Sequence, residues 1–201
     1  MPSFNRYDGH ESADQTTKMP FDELDAKSNR LSIGELIGHY ESFCNEESSG
    51  PDKFPWATRF AMGFPLPSWQ RGLEWTLEQN QRFIVSIWSG VDLGSYLVNE
   101  NWEHVQTPDG YHNREFSEAL LDGQQRLTCI EQYITNQFAV PDVNGNPVFW
   151  KDVPKIERRR FTLMTFVKAT IASWDETLLR KVYDLRAFGG TAHKDSERAS
   201  V

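Results

Sequence analysis

Leu121-Asp122-Gly123-Gln124-Gln125-Arg126-Leu127-Thr128 sets an acid, a glycine, two amides and a guanidinium side by side, where an extended segment becomes a helix. Glu118-Ala119-Leu120-Leu121 closes the extended segment, and Leu127, Ile130, Ile134 and Phe138 then recur at helical spacing beside Tyr133. The polar cluster therefore falls on the first turn of a helix. Free backbone N–H groups and the positive end of the helix dipole lie there, and a glycine lets the backbone approach a ligand closely. Arg126 adds a planar fork of donors suited to phosphate or carboxylate. The competing account is a plain turn, in which Asp122 caps the helix and the amides face water. On spacing alone the anion site is only slightly ahead of the capped turn.

Two further groupings carry donors. Gln70-Arg71 stands between Pro65-Leu66-Pro67-Ser68-Trp69 and Gly72-Leu73-Glu74-Trp75. Arg71 is placed to reach a phosphate or a carboxylate, or else to pack against Trp69 and Trp75. In Phe188-Gly189-Gly190-Thr191-Ala192-His193, two glycines and a hydroxyl would wrap an anion and His193 would exchange a proton near neutral pH. An ordinary helix end explains those glycines equally well. His10, His39, His104 and His112 are scattered without helical metal spacing, and no Ser-His or Cys-His arrangement emerges. No metal ligand set is expected.

The elements that position these groups are read from caps and periodicity. Ser32 and Glu35 form a capping box ahead of Ile33, Leu36, Ile37 and Tyr40, and Thr76 with Gln79 forms another ahead of Phe83, Ile84, Ile87 and Trp88, with Gly90 as the stop. Residues 48–52 read as a loop, Phe60 to Leu66 as one short strand, and Leu93 to Asn99 as a strand. Phe116 to Leu121 is expected to pair with that last strand across a long polar loop containing Pro108-Asp109-Gly110. Beyond the motif, Asn144-Gly145-Asn146-Pro147 marks a turn, Val148 to Trp150 a strand, and Phe161 to Thr170 a β-rich run. The last helix, Asp175 to Phe188, is expected to be capped by Ser173 with Glu176 and to bury Leu178, Leu179, Val182 and Tyr183.

A chain of 201 residues suits one domain, and residues 1–28 read as a disordered or loosely attached acidic arm ahead of a domain over 29–201. The net charge is −8, and residues 1–50 alone hold ten acids against four Lys and Arg. The remainder is near neutral, with a basic cluster at Lys151, Lys155, Arg158, Arg159 and Arg160 that is more often a solvated helix face than a phosphate contact. Two cysteines, Cys44 and Cys129, give neither a disulfide framework nor zinc spacing. No stretch approaches the roughly 20 apolar residues of a membrane span, so the expectation is a soluble protein of the cytoplasm.

Gln70-Arg71, then a helix and the Leu93-Gly94-Ser95 strand, then Leu121 to Thr128, then the Gly189-Gly190-Thr191 closure, together resemble one family. It is the ParB/sulfiredoxin-like superfamily, and within it the bacterial and phage family that forms the N-terminal half of GmrSD-type modification-dependent restriction enzymes. The resemblance spans about residues 32–193. It implies a small mixed sheet packed with helices, an α+β fold, in which the motif binds the phosphates of a nucleotide. Carried over by position, Asp122, Arg126 and Arg71 would be catalytic. Gln70, Gly123, Gln124, Gln125, Thr128, Gly189, Gly190, Thr191 and His193 would bind the nucleotide. Phosphoryl transfer asks mainly for positioning and charge stabilisation, so the arginines would clamp and Asp122 would act as base or as partner of Mg²⁺ or Mn²⁺.

This sequence departs from the family at three positions. Ala187 stands where relatives commonly carry Asn, Leu73 where an aromatic is usual, and Cys129 where Thr is frequent. The 201 residues hold no counterpart of the His-Asn-His-type nuclease domain of those enzymes, so a stand-alone bacterial or phage domain is expected. The resulting expectation is a phosphohydrolase acting on an NTP or on a DNA phosphodiester. Its alternatives are a non-catalytic nucleotide- or DNA-sensing or anti-defence protein and a kinase acting on DNA bases or a small molecule. Candidate partners are a nucleotide, DNA and, through the acidic arm, a host protein.

Overall fold

The computed structural model describes residues 25–46, 50–108 and 110–188. The greater part of the expected arm, Asp109, and the closure residues Gly189, Gly190, Thr191 and His193 lie outside them.

The chain opens with β1 (Lys27–Ser32), which starts just inside the arm boundary read from the sequence, and continues into α1 (Ile33–Asn45). Ser32 caps α1 with the expected box: its Oγ accepts from Glu35 N–H, and the Glu35 carboxylate accepts from Ser32 N–H at 2.7 Å. The loop expected at 48–52 contains instead the single helical turn α2 (Gly50–Lys53). The strand expected from Phe60 to Leu66 is a hairpin, β2 (Arg59–Ala61) and β3 (Phe64–Leu66). Both turn residues take positive φ, Met62 at 50° and Gly63 at 84°, which is what a two-residue hairpin needs. Methionine is an unusual choice there, and tertiary contacts impose it: Met62 is fully buried, its N–H donates to Glu131 Oε2 at 2.6 Å, and its carbonyl lies 2.9 Å from His39 Nδ1.

Helix α3 (Leu77–Trp88) begins at the Thr76–Gln79 box and ends before Gly90, as expected. Strand β4 (Ser95–Asn99) follows, and the polar loop after it contains a second hairpin, β5 (His104–Thr107) and β6 (Gly110–Asn113). Strand β7 (Leu120–Asp122) then pairs antiparallel with β4, as expected, and leads into α4 (Gln124–Ile134), so Phe138 lies past the helix end. A short pair, β8 (Val140–Pro141) and β9 (Pro147–Val148), brackets the Asn144 turn, and Trp150 begins a 3₁₀ turn rather than ending a strand. Helix α5 (Lys155–Thr162) takes the first residues of the expected β-rich run, leaving β10 (Thr165–Ile171). Finally α6 (Glu176–Phe188) is capped by Asp175, whose Oδ1 accepts from Thr177 N–H at 2.9 Å, and Ser173 instead accepts from Asp175 N–H.

The architecture is α+β. A mixed sheet runs β1-β10-β4-β7, with β10 parallel to β4 and the other pairs antiparallel. Successive strand residues face opposite sides, so the sheet divides two cores. Tyr96, Val98, Leu120 and Phe166 join Ile33, Leu36, Ile84, Leu127 and Ile130 from α1, α3 and α4. Leu97, Leu121, Ala169 and Ile171 join Leu179 and Val182 of α6 on the other side. Burial of such a side chain contributes about 1.5–3 kcal/mol, so both faces hold their helices. The motif lies where β7 leaves this sandwich. No helix among the described residues is long and apolar enough to cross a membrane.

Candidate functional site

Asp122 closes β7 and Gly123 alone separates it from α4, so strand becomes helix across one residue. Gly123 has φ +101°, and a Cβ added there would stand 2.6 Å from the Cβ of Tyr96. Only glycine fits. Gly123, not Asp122, is the cap residue, and no side chain caps the helix. The first amide to bond back is that of Leu127, to Gly123 O at 2.9 Å. The N–H groups of Gln124, Gln125 and Arg126 therefore have no acceptor within the helix, which leaves an anion-seeking terminus.

The Asp122 carboxylate points instead to two guanidinium groups. Its Oδ2 accepts from Arg126 Nη2 at 3.2 Å and from Arg186 Nε at 2.9 Å. Arg126 also donates from Nη1 to Leu93 O at 2.9 Å and from Nη2 to Ser95 O at 3.0 Å. Arg186 reaches the same Ser95 through Nη2, to O at 2.9 Å and Oγ at 3.1 Å. Burial pushes the Arg126 pKa down, Asp122 opposes that, and Arg186 adds to it. A guanidinium stays charged at neutral pH regardless. Two cations thus share one carboxylate, and the site keeps a positive excess.

The two glutamines fasten the other wall. Gln124 Nε2 donates to Arg71 O at 2.7 Å and to Gly72 O at 3.1 Å. Gln125 Nε2 donates to Gly72 O at 2.9 Å, while its Oε1 accepts from the N–H groups of Glu74 and Trp75. Gln70, buried, donates to Leu120 O at the start of β7. Together these bonds fix residues 70–75 over the motif. Arg71 does not pack between tryptophans: its guanidinium is half exposed and pairs with Glu74 at 3.2 Å. Arg180 lies over the Trp69 ring at 5.2 Å, and Trp75 packs on Phe83.

A cavity of about 140 Å³ results, walled by Gln70, Arg71, Asp122, Gly123, Gln124, Gln125 and Arg126 with Trp75, Tyr183 and Ala187. Seven of the sequence candidates thus converge on one space. Thr128 is not in its wall, and the four closure residues lie outside the described chain. Ala187 does line the cavity, so the position where the resemblance expects an amide presents a methyl group. Gln124 Oε1 is buried and has no hydrogen-bond partner. An orphaned acceptor beside free helix amides gives the cavity both signs of hydrogen bonding.

Sequence reasoning missed Arg186 and Ser95. Ser95 stood within the Leu-Gly-Ser strand, but its role depends on a backbone carbonyl, which residue type does not encode. Arg186 is one basic residue near a helix end, 64 positions from its partner, and nothing local distinguishes it. The basic cluster, by contrast, is partly engaged in packing: Arg158 donates to Val153 O and Lys151 O, and Arg160 lies over Trp88. Cys129 is buried, donates to Asn80 O at 3.3 Å, and has its thiol pushed up to about 12 by burial, so it is a packing residue and not a nucleophile.

The donor set does not fit a divalent cation held by the protein alone. Among the described residues no group of three His, Cys, Asp or Glu side chains is placed to hold a metal, and Asp122 is the one carboxylate of the cavity wall. Its Oδ2 is already occupied by two arginines. What the arrangement can do is bind an oxyanion at a positively biased helix start.

The family described as GmrSD restriction endonuclease, N-terminal domain, matches residues 53–195. No curated protein and no solved structure matches the chain.

Proposed function

Because the chain belongs to the family of the GmrSD restriction endonuclease N-terminal domain, we propose that it is a ParB-like nucleotide-binding domain of nucleic-acid restriction, which holds the phosphates of an NTP or of a DNA strand. One observation carries this reading. The uncapped start of α4, with its glycine at φ +101°, opens onto a cavity whose wall sets Arg71 and Arg126 against Asp122 alone, with Arg186 paired to that carboxylate and Glu74 to Arg71. Helix amides, dipole and guanidinium forks all favour phosphate.

A second reading, phosphohydrolysis, has its own support in Asp122, the one carboxylate of the cavity wall. In the described arrangement the Oδ2 of Asp122 already accepts from two arginines. Hydrolysis therefore requires Arg186 to release it when ligand binds. Binding without turnover is the reading the geometry favours.

Arg71→Ala is the clean test. Arg71 is exposed and its ion pair is with Glu74, so its loss leaves stability almost unchanged, whereas loss of Arg126 would also take the donor from Leu93 O and leave Ser95 O to Arg186 alone. Calorimetric titration with ATP, GTP and their Mg²⁺ complexes should show binding that Arg71→Ala weakens about tenfold at an unchanged melting temperature. The same tube, with DNA added, is assayed for phosphate release and nicking. Absence of nucleotide and DNA binding, or binding indifferent to Arg71, overturns the proposal; turnover abolished by Asp122→Asn selects hydrolysis.

A further inference from the structure

A second and larger cavity, of about 300 Å³, lies between α1, α2 and the β5–β6 hairpin, apart from the motif. Three histidines reach its wall, His39, His104 and His112, yet among the described residues no three metal-type side chains are placed to hold an ion. His39 is committed elsewhere, stacked on Phe64 at 4.2 Å and set against Met62 O. The remaining chemistry is aromatic and acceptor-rich.

Trp102 and Tyr111 line this cavity while 55% and 69% exposed, a large apolar area for two rings to leave in water. His104 sits between them, with ring centroids 4.2 Å from Trp102 and 6.3 Å from Tyr111. The His104 ring stands 66° to that of Trp102 and 58° to that of Tyr111, so each outer ring offers its own flat face to a flat ligand. Beneath it, Asn113 is 6% exposed, and its Oδ1 is buried without a hydrogen-bond partner. A lone buried acceptor asks for a donor. Glu118 supplies a second acceptor from a backbone at φ +52°, held there by the bond from its own N–H to Asn101 O at 3.0 Å. Asn99 fixes the same turn by donating to Phe116 O at 2.8 Å.

Charge excludes a phosphate here. Lys53 is paired with Glu46, and Glu118 gives the wall one carboxylate more than its lysine matches. A neutral ligand with N–H donors fits, and a planar one fits the rings. We propose that this cavity binds an amino-substituted planar heterocycle of the cytosine or adenine type, stacked on one of the Trp102 and Tyr111 rings and edged by the other, with its amino group donating to Asn113 Oδ1. The ligand's source is either a free nucleoside or a base of a single strand.

The test uses the full chain and four nucleosides, cytidine, adenosine, uridine and thymidine, with the matching homopolymeric oligodeoxynucleotides. Millimolar binding of cytidine or adenosine is expected, at least about fivefold tighter than uridine or thymidine. Trp102→Ala and Tyr111→Ala, both at exposed positions that leave the fold intact, should each weaken it about fivefold or more. Oligonucleotides that bind where nucleosides do not assign the site to a strand. No binding of either, equal binding of uridine, or binding insensitive to both ring substitutions overturns the proposal. The reading of the motif cavity is independent: loss of ligand in Arg71→Ala with no change in the ring variants would place the heterocycle there instead.

Discussion

Gly123 shows how one residue decides both fold and site. Any side chain at φ +101° would be strained, and its Cβ would enter the space of the Tyr96 Cβ at 2.6 Å. Gly123→Ala should therefore cost about 2 kcal/mol or more, measured by urea unfolding, and should weaken phosphate binding even below the melting transition, because the helix start is displaced. Unchanged nucleotide affinity in a folded Gly123→Ala protein would show that the amides of α4 do not contact the ligand. Arg186 makes the complementary case. It shares Asp122 with Arg126 and holds Ser95, so Arg186→Gln removes one of two charges on the carboxylate while Arg126 still satisfies it. Basal stability should fall by no more than about 1 kcal/mol, in keeping with a partly exposed pair. If Asp122 acts as a base once released, phosphate release should rise in this variant; if the domain only binds, affinity falls and turnover stays absent. The sequence displayed Asp122, Gly123, Gln124, Gln125 and Arg126 as consecutive letters, which made the motif visible. Arg186 joins it across 64 residues of chain, and that proximity exists only after folding.

Local chemistry announced those elements that local chemistry controls. Both capping boxes form, since Ser32 with Glu35 and Thr76 with Gln79 satisfy orphan amides within one turn. The β2–β3 hairpin was illegible because its turn is Met62-Gly63, without the Asn-Gly signal, and its geometry is imposed from α1 and α4. The β5–β6 hairpin was hidden by its polarity: its strands pair with each other and stand outside the main sheet. Glu131 carries the link between α4 and the first of these turns. Burial raises its carboxyl pKa, and the Met62 N–H bond lowers it by less. A folded pKa above the unfolded one means that folding favours the protonated acid. Below the ordinary carboxylate range no penalty applies, and as pH rises through the folded pKa the penalty becomes complete. Glu131→Gln keeps an acceptor for Met62 and removes the charge. It should be more stable than the parent at pH about 7 and equal to it near pH 4 or below, read from denaturant midpoints. A parent more stable than the variant at neutral pH would show that the charged bond to Met62 outweighs desolvation.

Across the whole molecule, two cavities of opposite electrical character occupy one fold. The first joins chain regions near residues 70, 122 and 186, so a ligand seated there bridges β7, α4 and α6. Binding to the folded form alone raises the melting temperature in proportion to the logarithm of ligand concentration. Because that cavity recognises charge, its stabilisation should decline as salt rises and the Debye length shortens from about 10 Å at 0.1 M toward about 3 Å at 1 M. The net charge of −8, concentrated in the first 50 residues, adds a long-range repulsion of polyanions that the same salt removes. The two effects oppose each other for DNA, whereas a compact nucleotide touching the arginines is governed by the first. Added NTP should thus protect strongly at low salt and weakly at high salt. A neutral nucleoside in the aromatic cavity should protect to the same extent at both, since stacking and burial do not depend on a counter-ion atmosphere. Thermal shifts recorded for ATP and for cytidine along one salt series separate the sites without any substitution. Parallel salt dependence for the two ligands would mean that a single cavity takes both.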